Sequence, residues 1–221
     1  MSTTKTSKTS ESAAQKGREH RKLQHQALSR LHLLDAAEEV FGRKGYHETT
    51  LKEVAELAEF SVGSVYSFFE NKDDLFRQIF VRRGDEFMPL LRSLLSTKRT
   101  PLEQLHDLVD FEIGFFRTNP KFGRLFLKFS SAALQSADRL ADDLTIGNFE
   151  ETMDLQAALF KRGQKAKQIV AGAPWVLARL LSGLMAAYQA LDPLVMSDEP
   201  DPVERFALTD FHDIVARTFA L

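Results

Sequence analysis

Apolar residues recur along most of this chain at spacings of three and four, the pattern of helices with one buried face. From about Gln24 to Lys44, Leu31, Leu34, Ala37, Val40 and Phe41 fall on one side, and Gly45 stands where a helix ends in a left-handed residue. A short helix follows. Thr50 and Glu53 frame its start as a capping box, Val54, Leu57 and Ala58 share its inner face, and Lys52, Glu53 and Glu56 point away. Glu59-Phe60 predicts a bend and Ser61 an N-cap for a second short helix, whose packed face is Val65, Phe68 and Phe69. Its other face, Val62, Gly63, Ser64 and Ser67, carries only short, uncharged side chains.

Downstream, Asn71 caps a long helix from about Lys72 to Ser96, broken or bent near Pro89. Leu102 to Thr118 has a wide apolar arc, with Leu102, Leu105, Val109, Ile113 and Phe116 on one side and Leu108, Phe111 and Phe115 beside it, which implies burial against several neighbours. Asn119-Pro120 restarts the chain into a helix carrying Phe122, Leu125, Phe126 and Phe129. Another helix runs from about Ala137 to Lys167, with Phe149, Met153, Leu155, Leu159 and Phe160 among its apolar positions. Trp175 to Leu191 is almost wholly apolar, with Arg179 its one charge, and is too short and interrupted to span a bilayer. Burial on two sides, by its own core and by a second copy of the chain, accounts for it, and Gly183 and Ala187 would let a partner helix approach closely. Asp201-Pro202 with Glu204 predicts the start of a last helix, striped by Val203, Phe206, Ala207, Phe211, Ile214 and Val215. No strand pattern emerges; the predicted class is all-α.

The pair of short helices is the informative stretch. A slim, hydroxyl-rich helix set against another helix fits a helix-turn-helix reader, because short side chains let the backbone enter the major groove. A plain helical hairpin packed on its neighbours has the same spacing.

The run Ala58-Glu59-Phe60-Ser61-Val62-Gly63-Ser64-Val65-Tyr66-Ser67-Phe68-Phe69-Glu70-Asn71-Lys72-Asp73-Asp74-Leu75, with Phe41, Gly45, Tyr46, Thr49 and Thr50 upstream, resembles the DNA-binding domain of the TetR family of bacterial transcriptional regulators. The likeness covers about Leu31 to Phe76; beyond it only helical character and length agree. It implies an N-terminal three-helix helix-turn-helix domain over residues 24–71, preceded by a basic arm over 1–23 and followed by a helical effector-binding and dimerisation domain over 72–221. It assigns phosphate contact to Arg30, Thr50, Tyr66 and Lys72, and base-edge contact to the face formed by Ser61, Val62, Gly63, Ser64 and Ser67. It also places Phe111, Phe115, Phe126, Phe129, Phe149, Met153 and Trp175 on the helices of an effector pocket, and Gly183, Ala187, Phe206, Phe211 and Ile214 on a dimer interface. Such a pocket would suit an acyl-chain, sterol-like or drug-like effector. The expected partners are a near-palindromic double-stranded DNA operator, a second copy of the chain and a hydrophobic small molecule. The chain departs from the family at Glu59, where a turn glycine is usual; a left-handed non-glycine there costs about 1 kcal/mol.

Charge and composition sharpen this. The 221-residue chain has a net charge of −2, which argues against general coating of nucleic acid. Residues 1–34, however, hold seven basic and two acidic residues, a net +5, so the remainder carries −7. One basic end beside an acidic body suits a protein that turns one face to DNA. Residues 1–15 are rich in Ser, Thr and Lys and are expected to be disordered, either an inert tail or a basic arm adding phosphate or minor-groove contacts near Arg18, Arg21 and Lys22. With no cysteine, thiolate chemistry and cysteine-zinc sites are excluded. No phosphate-cradling loop or nucleophile motif is present, so neither an enzyme nor a cofactor is expected. Glu103, His106, Asp107 and Asp110 share a helix face, which reads more simply as solvated surface than as a cation site. No apolar signal core or membrane span is present, so the expected location is the cytoplasm. A regulator without an effector, or a helical lipid carrier with a vestigial reader, has the same sequence features; ligand-dependent melting and sequence-specific DNA binding separate them.

Overall fold

The computed structural model describes residues 5–135, 143–197 and 206–221. Among these the chain is helical throughout: α1 (Lys5–Lys44), α2 (Leu51–Leu57), α3 (Val62–Phe68), α4 (Lys72–Leu95), α5 (Pro101–Thr118), α6 (Pro120–Gln135), α7 (Asp143–Lys165), α8 (Pro174–Leu191), α9 (Pro193–Met196) and α10 (Leu208–Phe219). The one non-helical pairing among them is an isolated antiparallel bridge between Ile169 and Ala220.

Two apolar clusters organise the helices. The first joins α1–α4 to α6 around Leu34, Ala37, Phe41, Val54, Val65, Phe69, Leu75, Phe76 and Phe122. The second fills the body between α4, α5, α7, α8 and α10 around Leu91, Leu108, Ile113, Phe160, Leu181, Phe211 and Phe219. Leu31 and Leu57, predicted as core, are largely exposed, while Leu33 and Ala55 are buried in their place. Two residues along an α-helix lie about 200° apart, so Leu31 and Leu57 stand nearly opposite the residues that are buried.

The helix ends follow the predicted chemistry. Thr50 and Glu53 form the capping box of α2, Ser61 accepts from the Ser64 amide at 3.0 Å, and Asn71 accepts from the Asp74 amide at 2.8 Å. Thr100 and Glu103 make a second capping box at the start of α5, one not predicted from the sequence. Gly45 closes α1 at φ +84°, its amide donating to the Phe41 carbonyl at 2.8 Å.

Two boundaries differ from the prediction. α1 begins at Lys5, so the arm expected to be disordered is helical from there. Its Ala, Gln, Lys, Arg and Glu residues are strong helix formers and extend a helix already nucleated by packing, although residues 18–28 are exposed. The predicted start of the last helix at Asp201-Pro202 lies outside the described residues; α10 begins at Leu208, so Phe206 and Ala207 precede it.

The head is tied to the body in two places. On α4, Arg82 and Arg83 both donate to Glu38 of α1, and Arg82 pairs with Asp35 at 2.7 Å. On α6, the Lys121 carbonyl lies where a side chain on Gly42 of α1 would meet it at 2.7 Å. Lys121 also pairs with Glu39 at 2.6 Å, and Lys128 donates to the Arg43 carbonyl at 2.5 Å. α4 is therefore not alone in joining head to body.

Candidate nucleic-acid interface

The candidate reading surface is built by the turn that joins α2 to α3. Ala58 ends α2, and the Phe60 amide reaches back to the Ala55 carbonyl at 2.8 Å while the Glu59 amide meets the Glu56 carbonyl at 3.2 Å. This six-to-one and five-to-two pair is a Schellman end, which requires a left-handed residue at its centre. Glu59 supplies it at φ +59°. The turn thus keeps the geometry a glycine would give, at the expense of side-chain crowding. Glu59→Gly is expected to stabilise the protein by up to about 1 kcal/mol, read from urea unfolding, with the fold unchanged. A loss of stability would mean that the Glu59 side chain makes a contribution larger than its strain.

Val65 and Phe69 anchor α3 in the core, with Phe68 partly buried beside them. The opposite face is open: Ser61, Val62, Gly63, Tyr66 and Ser67 are exposed, Tyr66 at 57 %, and Ser64 is partly so. The hydroxyls are already organised. Ser61 Oγ and Ser64 Oγ lie 2.8 Å apart, and Ser67 Oγ donates to the Ser64 carbonyl at 2.6 Å. Each retains lone pairs for an outside donor.

Around this face stand Thr50, exposed at the start of α2, and Lys72 at the start of α4. Lys72 Nζ sits 4.4 Å from the centre of the Tyr46 ring and donates to the His47 carbonyl at 3.2 Å. Partial burial lowers its pKa, with the neighbouring Asp73 opposing. Tyr46 in turn donates to Asp73, and burial followed by that carboxylate pushes its phenol up to about 12, so it stays a donor. Lys44 pairs with Glu53, whose carboxyl is drawn down to about 2 by Lys44 first and by the capping bonds to Thr50 next. The sequence singled out Tyr46 only as part of the family-like run, with no contact assigned to it.

Arg30 is differently placed. Its guanidinium donates to Gln78 at 2.6 Å and lies 5.2 Å from the Phe69 ring centre, so it braces α1, α3 and α4 from within.

The residues assigned to an effector pocket are brought together only in part: Phe111 meets Phe115, and Phe115, Phe126 and Phe129 all pack against the first cluster. Phe111 and Phe115 pack on Phe87 of α4 at 4.9 and 5.1 Å between ring centres. Phe126 packs on Phe116 and Phe122, and Phe129 packs on Phe76 and Phe80, which puts both in the cluster joining head to body. Met153 is buried in the body. Phe149 and Trp175 are exposed, the former with the Arg179 guanidinium 5.0 Å from its ring centre. Of the residues assigned to a dimer face, Gly183, Ala187, Phe206 and Ile214 are exposed, whereas Phe211 is buried in its own subunit and stacks on Tyr188 at 4.6 Å.

The acidic face of α5 is partnered within the chain. Glu103 serves its capping box, Asp107 pairs with Arg99 at 2.7 Å, and Asp110 accepts from or pairs with His212 Nε2 at 2.7 Å. The Nδ1 atoms of His106 and His212 lie 3.0 Å apart, a contact between α5 and α10 that spacing along the chain does not reveal. Among the described residues no group of three or more His, Cys, Asp or Glu is arranged to hold a metal ion, and no helix is long and apolar enough to cross a membrane.

Comparison with known proteins bears on this head. The family profile described as "Bacterial regulatory proteins, tetR family" matches residues 33–79, which span the end of α1 through the first turns of α4. The fatty acid metabolism regulator protein of Bacillus subtilis is 29 % identical over 75 residues, which is 34 % of this chain and 39 % of that protein. Among solved structures, AibR in complex with isovaleryl coenzyme A and operator DNA superposes with a TM-score of 0.69 at 18 % identity, over 86 % of this chain and 98 % of that one. The fatty acid degradation regulator FadR from Bacillus halodurans gives 0.65 at 20 % identity, over 84 % and 93 %. At such identities the superpositions speak for the fold of most of the chain, while the sequence match to the family is carried by the head. On these grounds residues 33–79 match the tetR family of bacterial regulatory proteins, and the chain shares its fold with TetR-like regulators.

Proposed function

We propose that this protein is a homodimeric transcriptional repressor that sets α3 of each subunit into the major groove of a near-palindromic operator and is released by a hydrophobic, acyl-type effector. The observation that carries the reading is the open face of α3: a capped helix anchored by Val65 and Phe69, presenting hydroxyls and a glycine where larger side chains would hold it off the bases. Thr50, Tyr66 and Lys72 flank that face at the ends of α2, α3 and α4, as phosphate contacts do. Arg30, braced by Gln78, would act by holding α3 rather than by reaching a phosphate.

The acyl character of the effector is suggested by AibR, solved with isovaleryl coenzyme A, and by the fatty acid regulators, together with the apolar body of this chain. An effector that fits one arrangement of α4–α8 better than another biases the heads through Arg82, Arg83 and Glu38 and through the α6 contact at Gly42.

DNA fragments selected by the purified protein, followed by anisotropy titration, test the reader. Lys72→Ala is expected to weaken binding to all sequences alike and to lower the salt slope by about one. A change of base preference with the slope intact would remove Lys72 from the phosphate contacts. Failure to select any sequence would end the reading itself.

A further inference from the structure

Among the described residues the body buries a carboxyl that no cation pairs with. On α5 the buried positions Leu105, Leu108, Val109, Ile113 and Phe116 are apolar, but Glu112 among them is only 8 % exposed. Burying a carboxyl in such a cluster is costly unless it is fully hydrogen-bonded. Glu112 has one hydrogen-bond partner among the described residues: the fully buried Gln156 of α7, whose Nε2 donates to Oε1 at 2.7 Å. Ser182 of α8 reaches the Gln156 Oε1 at 3.3 Å, so three helices contribute to one short polar chain.

No cation faces it. On α4, Arg92 pairs with Glu151 of α7; on α7, Arg162 donates to Gln104; on α8, Arg179 lies over Phe149. On α5 itself Arg117 is taken by Asp192 and the Tyr188 hydroxyl, and on α10 His212 is engaged with His106 and Asp110. Burial accordingly pushes the Glu112 carboxyl up to about 8, against the opposing bond from Gln156. At neutral pH it is a neutral acid. One oxygen accepts from Gln156, and the protonated oxygen is a donor without an acceptor among the described residues. Methionines adjoin the same helices: Ser182 also reaches Met153 Sδ at 3.8 Å, Thr152 of α7 reaches Met88 Sδ of α4 at 3.4 Å, and methionine repacks readily around a guest.

We propose that Glu112, oriented by Gln156, is the polar anchor of the effector site and donates to a neutral carbonyl oxygen, the ester or thioester of an acyl chain, in preference to a free carboxylate. The proposal rests on the reading of the body as an effector domain. A carboxylate would enter with no cation to meet it, whereas a carbonyl oxygen supplies the missing acceptor at no cost in buried charge.

Calorimetry on the full chain tests this with three probes of one length: methyl dodecanoate, sodium dodecanoate and dodecyltrimethylammonium. At pH 7 the ester is expected to bind at least about tenfold more tightly than the carboxylate, the worth of one buried hydrogen bond. Glu112→Leu should lose that preference. Glu112→Gln, which keeps a donor, should retain it, and should also lose the weakening of ester binding that the wild type shows between pH 7 and 9 as its carboxyl ionises. A melting curve accompanies each variant, and the two together separate a local effect from misfolding. Equal ester binding by Glu112→Leu and the wild type would sink the anchor while leaving an acyl effector in place. Tightest binding of the ammonium probe would overturn it in favour of an ionised Glu112 acting as a counter-ion. If none of the probes binds the wild type, the acyl reading falls, and the anchor with it.

Discussion

Replacing Glu38 with alanine is expected to destabilise the protein by roughly 3–5 kcal/mol, the usual range for removing one member of a buried ion pair. Glu38 is 2 % exposed and receives the guanidinium of Arg82 together with two bonds from Arg83, at 3.0 and 2.8 Å. Both arginine side chains are themselves mostly buried. Without the carboxylate, two guanidiniums face each other at the seam of α1 and α4. Asp35 and Glu86 offer partial compensation at 2.7 Å each, which sets the expected loss toward the lower end of that range. Glu38→Gln, isosteric and uncharged, should lose less because it still accepts one bond. Urea unfolding at neutral pH reads the effect. A loss below about 1 kcal/mol would show that Asp35 and Glu86 alone neutralise the seam.

The same seam explains which parts of this molecule were legible in the sequence. The head was, down to its caps, because its logic is local: Thr50 with Glu53, Ser61, Asn71 and Gly45 each act within four residues of themselves. The Glu59 turn was legible too, as a departure whose geometry the Schellman bonds preserve. The body was legible only as helices. Whether Phe129 meets a ligand or Phe76 depends on which neighbour an apolar face encounters, and α6 turns that face to the head. Phe149 and Trp175 have the composition of core residues and the positions of surface ones. Glu112 and the His106–His212 contact were hidden for a related reason: their partners lie 44 and 106 residues away. The four-residue α9 was missed because one turn gives no periodicity. It matters nonetheless, since Val195 packs where a side chain on Gly123 would meet it at 2.7 Å and so fixes α8 to α6.

Replacing Ala187 with glutamate is expected to convert the protein to a monomer and to weaken operator binding by at least about a hundredfold, because the second half-site is then no longer reached intramolecularly. The motive is the outer face of α8. Val176, Leu180, Gly183, Ala187 and Leu191 recur at spacings of three and four and are all exposed, Leu180 at 53 % and Leu191 at 72 %. A side chain built on Gly183 would meet nothing among the described residues, so the glycine answers no packing need there. Ile214 of α10 is exposed as well. An apolar helix face of this length is rarely left to water, and a two-fold axis would cover it with its own copy, as the proposed dimer requires. The choice of Ala187 makes the measurement clean: in an isolated subunit the new carboxylate would reach solvent, so the melting temperature of the monomer should hardly depend on it. Light scattering should find the wild type near twice its 25.0 kDa chain mass at micromolar concentration and the variant near that mass itself. Anisotropy with a single half-site should find equal affinity for both proteins, with the difference confined to the full operator. A wild-type monomer, or a dimer that survives glutamate at both Gly183 and Ala187, would put the interface on another face.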